Sequence, residues 1–147
     1  MMAVLQVKDA ERAVPTADQV LRQLLYVIAR DLGLGRKQSE QASEIGKFRI
    51  DGIQVSISCL ETDSQREAII VAKLPVRLEP ESIRQLLEIN LIAAIALHAT
   101  IAIDSDGDAI LLAMLPILQA DASSFVKHIT QMALFAATVR QQIGESK

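Results

Sequence analysis

The segment Asp104-Ser-Asp-Gly-Asp108 is where this 147-residue sequence comes nearest to metal chemistry. Carboxylates at alternate positions open a calcium-binding EF-hand loop, which also needs Gly at its sixth position and a bidentate Glu at its twelfth. Counted from Asp104, those places hold Ala109 and Leu115. The loop therefore lacks both its turn residue and its strongest ligand, and the segment reads as a hairpin turn at Asp106-Gly107. Acid–base or nucleophilic chemistry would have to use His98, His128 or Cys59. His98 falls at the end of an apolar helical run, where a cation meets the carbonyl dipole. His128 lies beside Lys127 in a second helical stretch. Cys59 shares a strand face with Ile53, Val55 and Ile57 and reads as a small hydrophobe, with no base or cationic neighbour in sight to generate a thiolate. Gly33-Leu-Gly35 has neither the lysine nor the length of a phosphate loop. No catalytic residue, cofactor or metal site is expected, and the chain reads as a non-enzyme.

What the sequence has in excess is apolar surface. Half of its residues are hydrophobic, only 3% are aromatic and Trp is absent, so an aliphatic core is well supplied. The net charge of −3 and the scatter of 15 basic residues argue against nucleic acid, whose affinity rests on clustered Lys and Arg. One cysteine precludes an intrachain disulfide and fits a reducing compartment. The N-terminus shows no signal-peptide pattern. A single domain over residues 1–147 is expected, with 1–14 as a flexible leader and 144–147 as a tail.

The elements that must carry this surplus follow from period and punctuation. Thr16 with Gln19 forms a capping-box pattern before a helix with the stripe Leu21, Leu24, Leu25, Ile28 and Leu32, ended by Gly33 and Gly35. Arg36 to Glu44 is polar and reads as a loop. Phe48 and Ile50, the turn Asp51-Gly52, and alternating Ile53, Val55, Ile57 and Cys59 predict a hairpin. Ala68 to Leu74 predicts a third strand. Pro80, Glu81 and Ser82 open a second helix. Thr100 to Asp104 and Asp108 to Leu115 form another hairpin. A last helix starts near Asp121 or Ser123 and buries Phe125, Ile129, Met132, Ala136, Val139 and Ile143. The expected fold is α+β: helix, three strands, helix, two strands, helix, on a twisted antiparallel sheet.

The helix around Leu86-Leu-Glu-Ile-Asn-Leu-Ile-Ala-Ala-Ile-Ala-Leu97 is apolar on two sides. Its run of 12 is too short for membrane insertion, which needs about 20 residues, and two stripes imply burial on both sides. Leu86, Leu87, Asn90, Leu91 and Ala94 are assigned to the sheet side, and Ile89, Ile92 and Ala96 to a face for another protein chain, the alternative being a helix enclosed in one large core. Further apolar residues fit core packing and partner binding equally well. Val20 and Val27 widen the stripe of the first helix, Ile69 and Val71 share a strand face with Lys73, and Met114 is adaptable.

The order and spacing of Phe48-Arg-Ile-Asp-Gly52 with Ile53 to Leu60, of Leu86-Leu-Glu-Ile-Asn-Leu91, of Ile103-Asp-Ser-Asp-Gly-Asp108 with Leu111-Leu112 and Leu115-Pro116, and of Asp121 and Phe125 resemble the class I type III secretion chaperones of the Tir-chaperone family. The resemblance spans Phe48 to Arg140. It implies a homodimer, without cofactor, in bacterial cytoplasm, that binds the N-terminal segment of a secreted effector and delivers it to secretion-apparatus components. It also implies that Val20, Val27, Ile69, Val71 and Met114 contact the effector. The alternatives are a hot-dog-like thioesterase, whose central helix usually follows the first strand, and a dimeric adaptor of another system.

Overall fold

The computed structural model describes residues 17–61, 66–117 and 122–143, and within these the side chains of all but 17–20, 61 and 122. The first stripe does form helix α1 (Ala17–Asp31), with Leu21, Leu25, Ile28 and Ala29 buried. Thr16, its expected cap, lies outside the described residues. The segment expected to be a loop is instead a second helix, α2 (Arg36–Ile45). It buries only Ser39 and Ala42, three residues apart, so it carries no large apolar stripe for a hydrophobic period to reveal. Good helix formers and an Arg36–Glu40 pair one turn apart, at 3.5 Å, support it instead. Gly46 ends it with φ +72°, its N–H donating to the Ala42 carbonyl at 2.7 Å. A Cβ at Gly46 would lie 2.6 Å from the Ile57 carbonyl oxygen, so both the dihedral and the space demand glycine.

Strands β1 (Lys47–Ile50), β2 (Ile53–Glu61), β3 (Arg66–Lys73), β4 (Thr100–Ile103) and β5 (Ala109–Pro116) form one antiparallel sheet in the order β1-β2-β3-β5-β4. Asp51 and Gly52 both have positive φ, as a two-residue hairpin of right-twisted strands requires. The register builds an apolar row across one face, Phe48, Val55, Ala72, Leu111 and Ile101 in turn. Helices α1 and α4 (Ala122–Gln142) cover that face. Phe125, Ile129, Met132, Ala136, Val139 and Ile143 are all buried there, as the period of the last helix predicts. Asp121, one of its two expected caps, is outside the described residues.

The central helix, α3 (Pro80–Leu97), starts on a capping box in which the Glu79 side chain accepts from the Ser82 N–H and Ser82 Oγ accepts from the Glu79 N–H at 2.8 Å. It ends at His98, which takes the left-handed conformation with φ 50°. Three strands precede α3 and two follow it, as expected. Among the described residues, α2 is the one helix that was not expected.

Candidate partner-binding surface

Two apolar surfaces lack a cover among the described residues. The first is on α3. At 100° per residue, Ser82, Leu86, Ala93 and Leu97 lie within one arc, and these four are its buried residues. Ile89 and Asn90 flank that arc and are half-buried, Ile89 against the core. The opposite arc runs through Ile83, Ala94, Leu87, Leu91, Ile95 and Ile92, broken by Arg84 and Glu88, whose side chains pair with each other at 3.5 Å. Leu87, Leu91 and Ile95 are 68%, 67% and 70% exposed.

The expected division of the helix is thereby corrected. Leu86 and Asn90 do face the sheet, but Leu87, Leu91 and Ala94 are exposed, and Ile89, expected outside, leans into the core. Ile92 and Ala96 are exposed. The reason is rotational: the helix meets the domain along the line between the two apolar stripes, so each stripe gives one edge to the core. Asn90 sets this rotation. Its Oδ1 accepts the Ile101 N–H at 2.8 Å, satisfying a backbone donor of the outermost strand β4. An unpaired strand edge invites pairing with other chains, and α3 occupies this one.

The second surface is the face of the sheet opposite α1 and α4. Its rows follow from register: Ser58, Ile69 and Met114 in one, Ser56, Val71, Leu112 and Thr100 in the next. Ile69, Val71 and Leu112 are half-buried by their neighbours, and Met114 is exposed. Ile69, Val71 and Met114 are thus brought together as a patch, which Leu112 completes. Leu112 went unnoticed in the sequence although it is two residues from Met114 and so shares its face. Val27 is exposed on α1, on the other side of the sheet, and the Val20 side chain lies outside the described residues. A ligand touching Val27 and the Met114 patch together must cross an edge of the sheet.

Titratable groups offer little chemistry. Burial, and then the charge of nearby His98, hold the His128 imidazole below its ordinary pKa of 6.5, and its buried Nε2 has no hydrogen-bond partner among the described residues. Carboxylate oxygens of Asp104, Asp106 and Asp108 lie within 4.8 Å of one another. The Asp104 carboxylate is committed to the β4–β5 turn, its Oδ1 accepting the N–H groups of Asp106 and Asp108, each at 2.9 Å. Asp108 also pairs with Lys73 at 3.3 Å. Among the described residues no helix is long and apolar enough to cross a membrane.

One helix-covered sheet face, one apolar face without a cover among the described residues and an uncovered apolar helix make up this α+β domain, and solved chains of three complexes share its fold. A chain of the HopA1–SchA chaperone–effector complex superposes with a TM-score of 0.63 at 14% identity, covering 87% of this chain and 98% of that one. For the Yersinia pestis type III secretion chaperone SycH bound to a stable fragment of YscM2 the values are 0.57, 18%, 81% and 98%. For the ExsC–ExsE complex they are 0.64, 16%, 85% and 94%. No curated protein sequence matches significantly. The chain belongs to the Tir chaperone protein (CesT) family, whose model matches residues 23–139.

Proposed function

We propose that the protein is a type III secretion chaperone that acts as a homodimer in bacterial cytoplasm. It binds the N-terminal chaperone-binding segment of a secreted effector, keeps that segment soluble and export-competent, and passes it to the export apparatus. The observation that carries this reading is the uncovered apolar surface of a chain in the Tir chaperone family. The α3 arc of Leu87, Leu91, Ile92 and Ile95 supplies the dimer contact, with Ala96 at its margin. The outer sheet patch of Ile69, Val71, Leu112 and Met114 receives effector side chains, and Val27 extends the contact over the sheet edge. Such a protein performs no covalent chemistry.

The test is tagged expression in the native bacterium, followed by identification of co-purifying proteins. A secreted protein that is captured through its N-terminal segment, and lost from Val71→Asp/Met114→Asp protein of unchanged dimer mass, is the expected result. Capture unaffected by those substitutions would place the binding surface elsewhere. Hydrolysis of acyl-CoA by the purified protein, abolished by one acidic substitution, would overturn the non-enzymatic reading.

A further inference from the structure

The two hairpin turns and the chain leaving β3 converge at one end of the sheet, around an open cleft of about 570 Å³. That volume lies within the range of sites that hold small ligands or a few side chains. Its floor is apolar: Leu74 is buried, and Val76 and Leu78 pack against the core from the segment that leads to α3. Its rim is basic. Among the described residues, Arg49, Lys73 and Arg77 line it against a single carboxylate, Asp108. This concentration runs against the net charge of −3 of the whole chain.

The register explains how the cations gather. Arg49 pairs with Gln54, and Lys73 pairs with Ile110, on the outer face of the sheet. Continuing the β2–β3 pairing of Val55 with Ala72 by one residue sets Gln54 beside Lys73. Arg49, Gln54 and Lys73 thus form a polar row that closes one end of the apolar patch. Arg77 reaches the same cleft from the segment after β3. Lys73 is held by Asp108 at 3.3 Å, but Arg49 and Arg77 are exposed and neither pairs with a described residue. A guanidinium fork without a carboxylate partner is suited to bidentate binding of one.

Along β3, Ile69, Val71 and Lys73 follow one another on the same face. An extended polypeptide lying over Ile69 and Val71 therefore runs straight into the cleft, with alternate side chains about 7 Å apart. We propose that the cleft is an acidic subsite, in which Asp or Glu carboxylates of the bound partner segment, next to its aliphatic anchors, engage Arg49 and Arg77. This rests on the reading of the outer sheet face as the effector surface and adds to it a charge requirement on the partner. Aliphatic burial supplies affinity, and the arginines fix direction and register, because a segment laid the other way would place its carboxylates over Met114.

The probe is the peptide acetyl-Leu-Ser-Val-Ser-Glu-Ser-Glu-amide, in which the aliphatic and acidic side chains share one face when extended, with acetyl-Leu-Ser-Val-Ser-Gln-Ser-Gln-amide as its neutral twin, titrated into isotopically labelled full-length protein and followed by amide NMR shifts. Expected are shifts at Gly52, Gln54, Lys73 and Gly107. Binding should weaken roughly tenfold in the neutral twin, in Arg49→Gln/Arg77→Gln protein, and on raising salt to about 1 M. Equal binding of the two peptides overturns the proposal. So do shifts confined to Ile69, Val71 and Leu112, and so does occupancy of the cleft by inorganic phosphate with none by peptide. Failure here leaves effector co-purification intact, whereas failure of the chaperone reading removes the co-purified partner itself.

Discussion

Helices α3 and α4 are both rich in apolar residues, yet they end in opposite situations. Helix α4 buries Phe125, Ile129, Met132, Ala133, Ala136 and Val139, with Ile143 buried just past its end, and among its described side chains leaves Leu134 as the one large apolar residue exposed. Helix α3 buries Leu86, Ala93 and Leu97 and leaves Ile83, Leu87, Leu91, Ile92 and Ile95 outside. The difference is one of position in the fold. Helix α4 lies across β2 and β3 in the middle of the sheet, where its whole stripe meets inward side chains. Helix α3 packs at the β4 edge, where the domain can cover only a narrow line of it. Burying a large aliphatic side chain is worth about 1.5–3 kcal/mol, so on α4 that free energy stabilises the monomer, and on α3 it is available to a second chain.

The largest expected effect is in α4. Phe125→Ala should lower unfolding stability by about 3–5 kcal/mol through loss of transfer free energy and the cavity left behind, read as a lower urea midpoint. A change below about 1 kcal/mol would mean that α4 is not the core helix described. The matching experiment in α3 is Leu91→Asp with Ile95→Asp. Its circular dichroism should be unchanged while sedimentation equilibrium shows a monomer where the parent is a dimer. An unfolded variant would make α3 a core helix like α4, and a persistent dimer would move the interface off α3.

A smaller effect isolates the polar contact that rotates α3. Asn90→Leu leaves the Ile101 N–H without its acceptor and should cost about 1–3 kcal/mol. The amide of Ile101 should then exchange with deuterium faster than in the parent, and unchanged protection would show that Asn90 does not hold the β4 edge. The smallest effect lies where the two helices meet. The pKa of His128 is lowered by burial and by the charge of His98, so the unfolded chain binds that proton more readily than the folded one. Stability from this pair is complete above about 6.5, the unfolded value, and declines as pH falls below it toward the folded pKa. Measured between pH 7 and pH 5, the loss of thermal stability should be smaller in His128→Gln than in the parent. An identical slope would assign the pH dependence to other groups.

Most of the architecture is legible because it depends on local patterns. Period 2 in Ile53 to Cys59, period 3.6 in Phe125 to Ile143, and Asp51-Gly52 as a hairpin turn specify their elements without knowledge of their neighbours. Helix α2 was hidden because its contact with the domain is made by Ser39 and Ala42, which have little hydrophobic signal. Which residues share the outer sheet face was also readable, since alternation alone places Ile69 and Val71 beside Lys73 and on one side of the strand. That this side is the bare one required the helices to be seen on the other.

The rotation of α3 is the clearest case of what only tertiary structure decided. Two apolar stripes on one helix show that two surfaces will be covered, but a helix can turn about its axis at little cost in local energy. Its rotation is settled by a contact with a strand 11 residues away in sequence, the Asn90–Ile101 hydrogen bond, and by the narrow space beside β4. The basic cleft is of the same kind. Arg49, Lys73 and Arg77 are unremarkable as a sequence because they belong to β1, β3 and the segment before α3. They become one site only when antiparallel pairing brings the ends of those elements together.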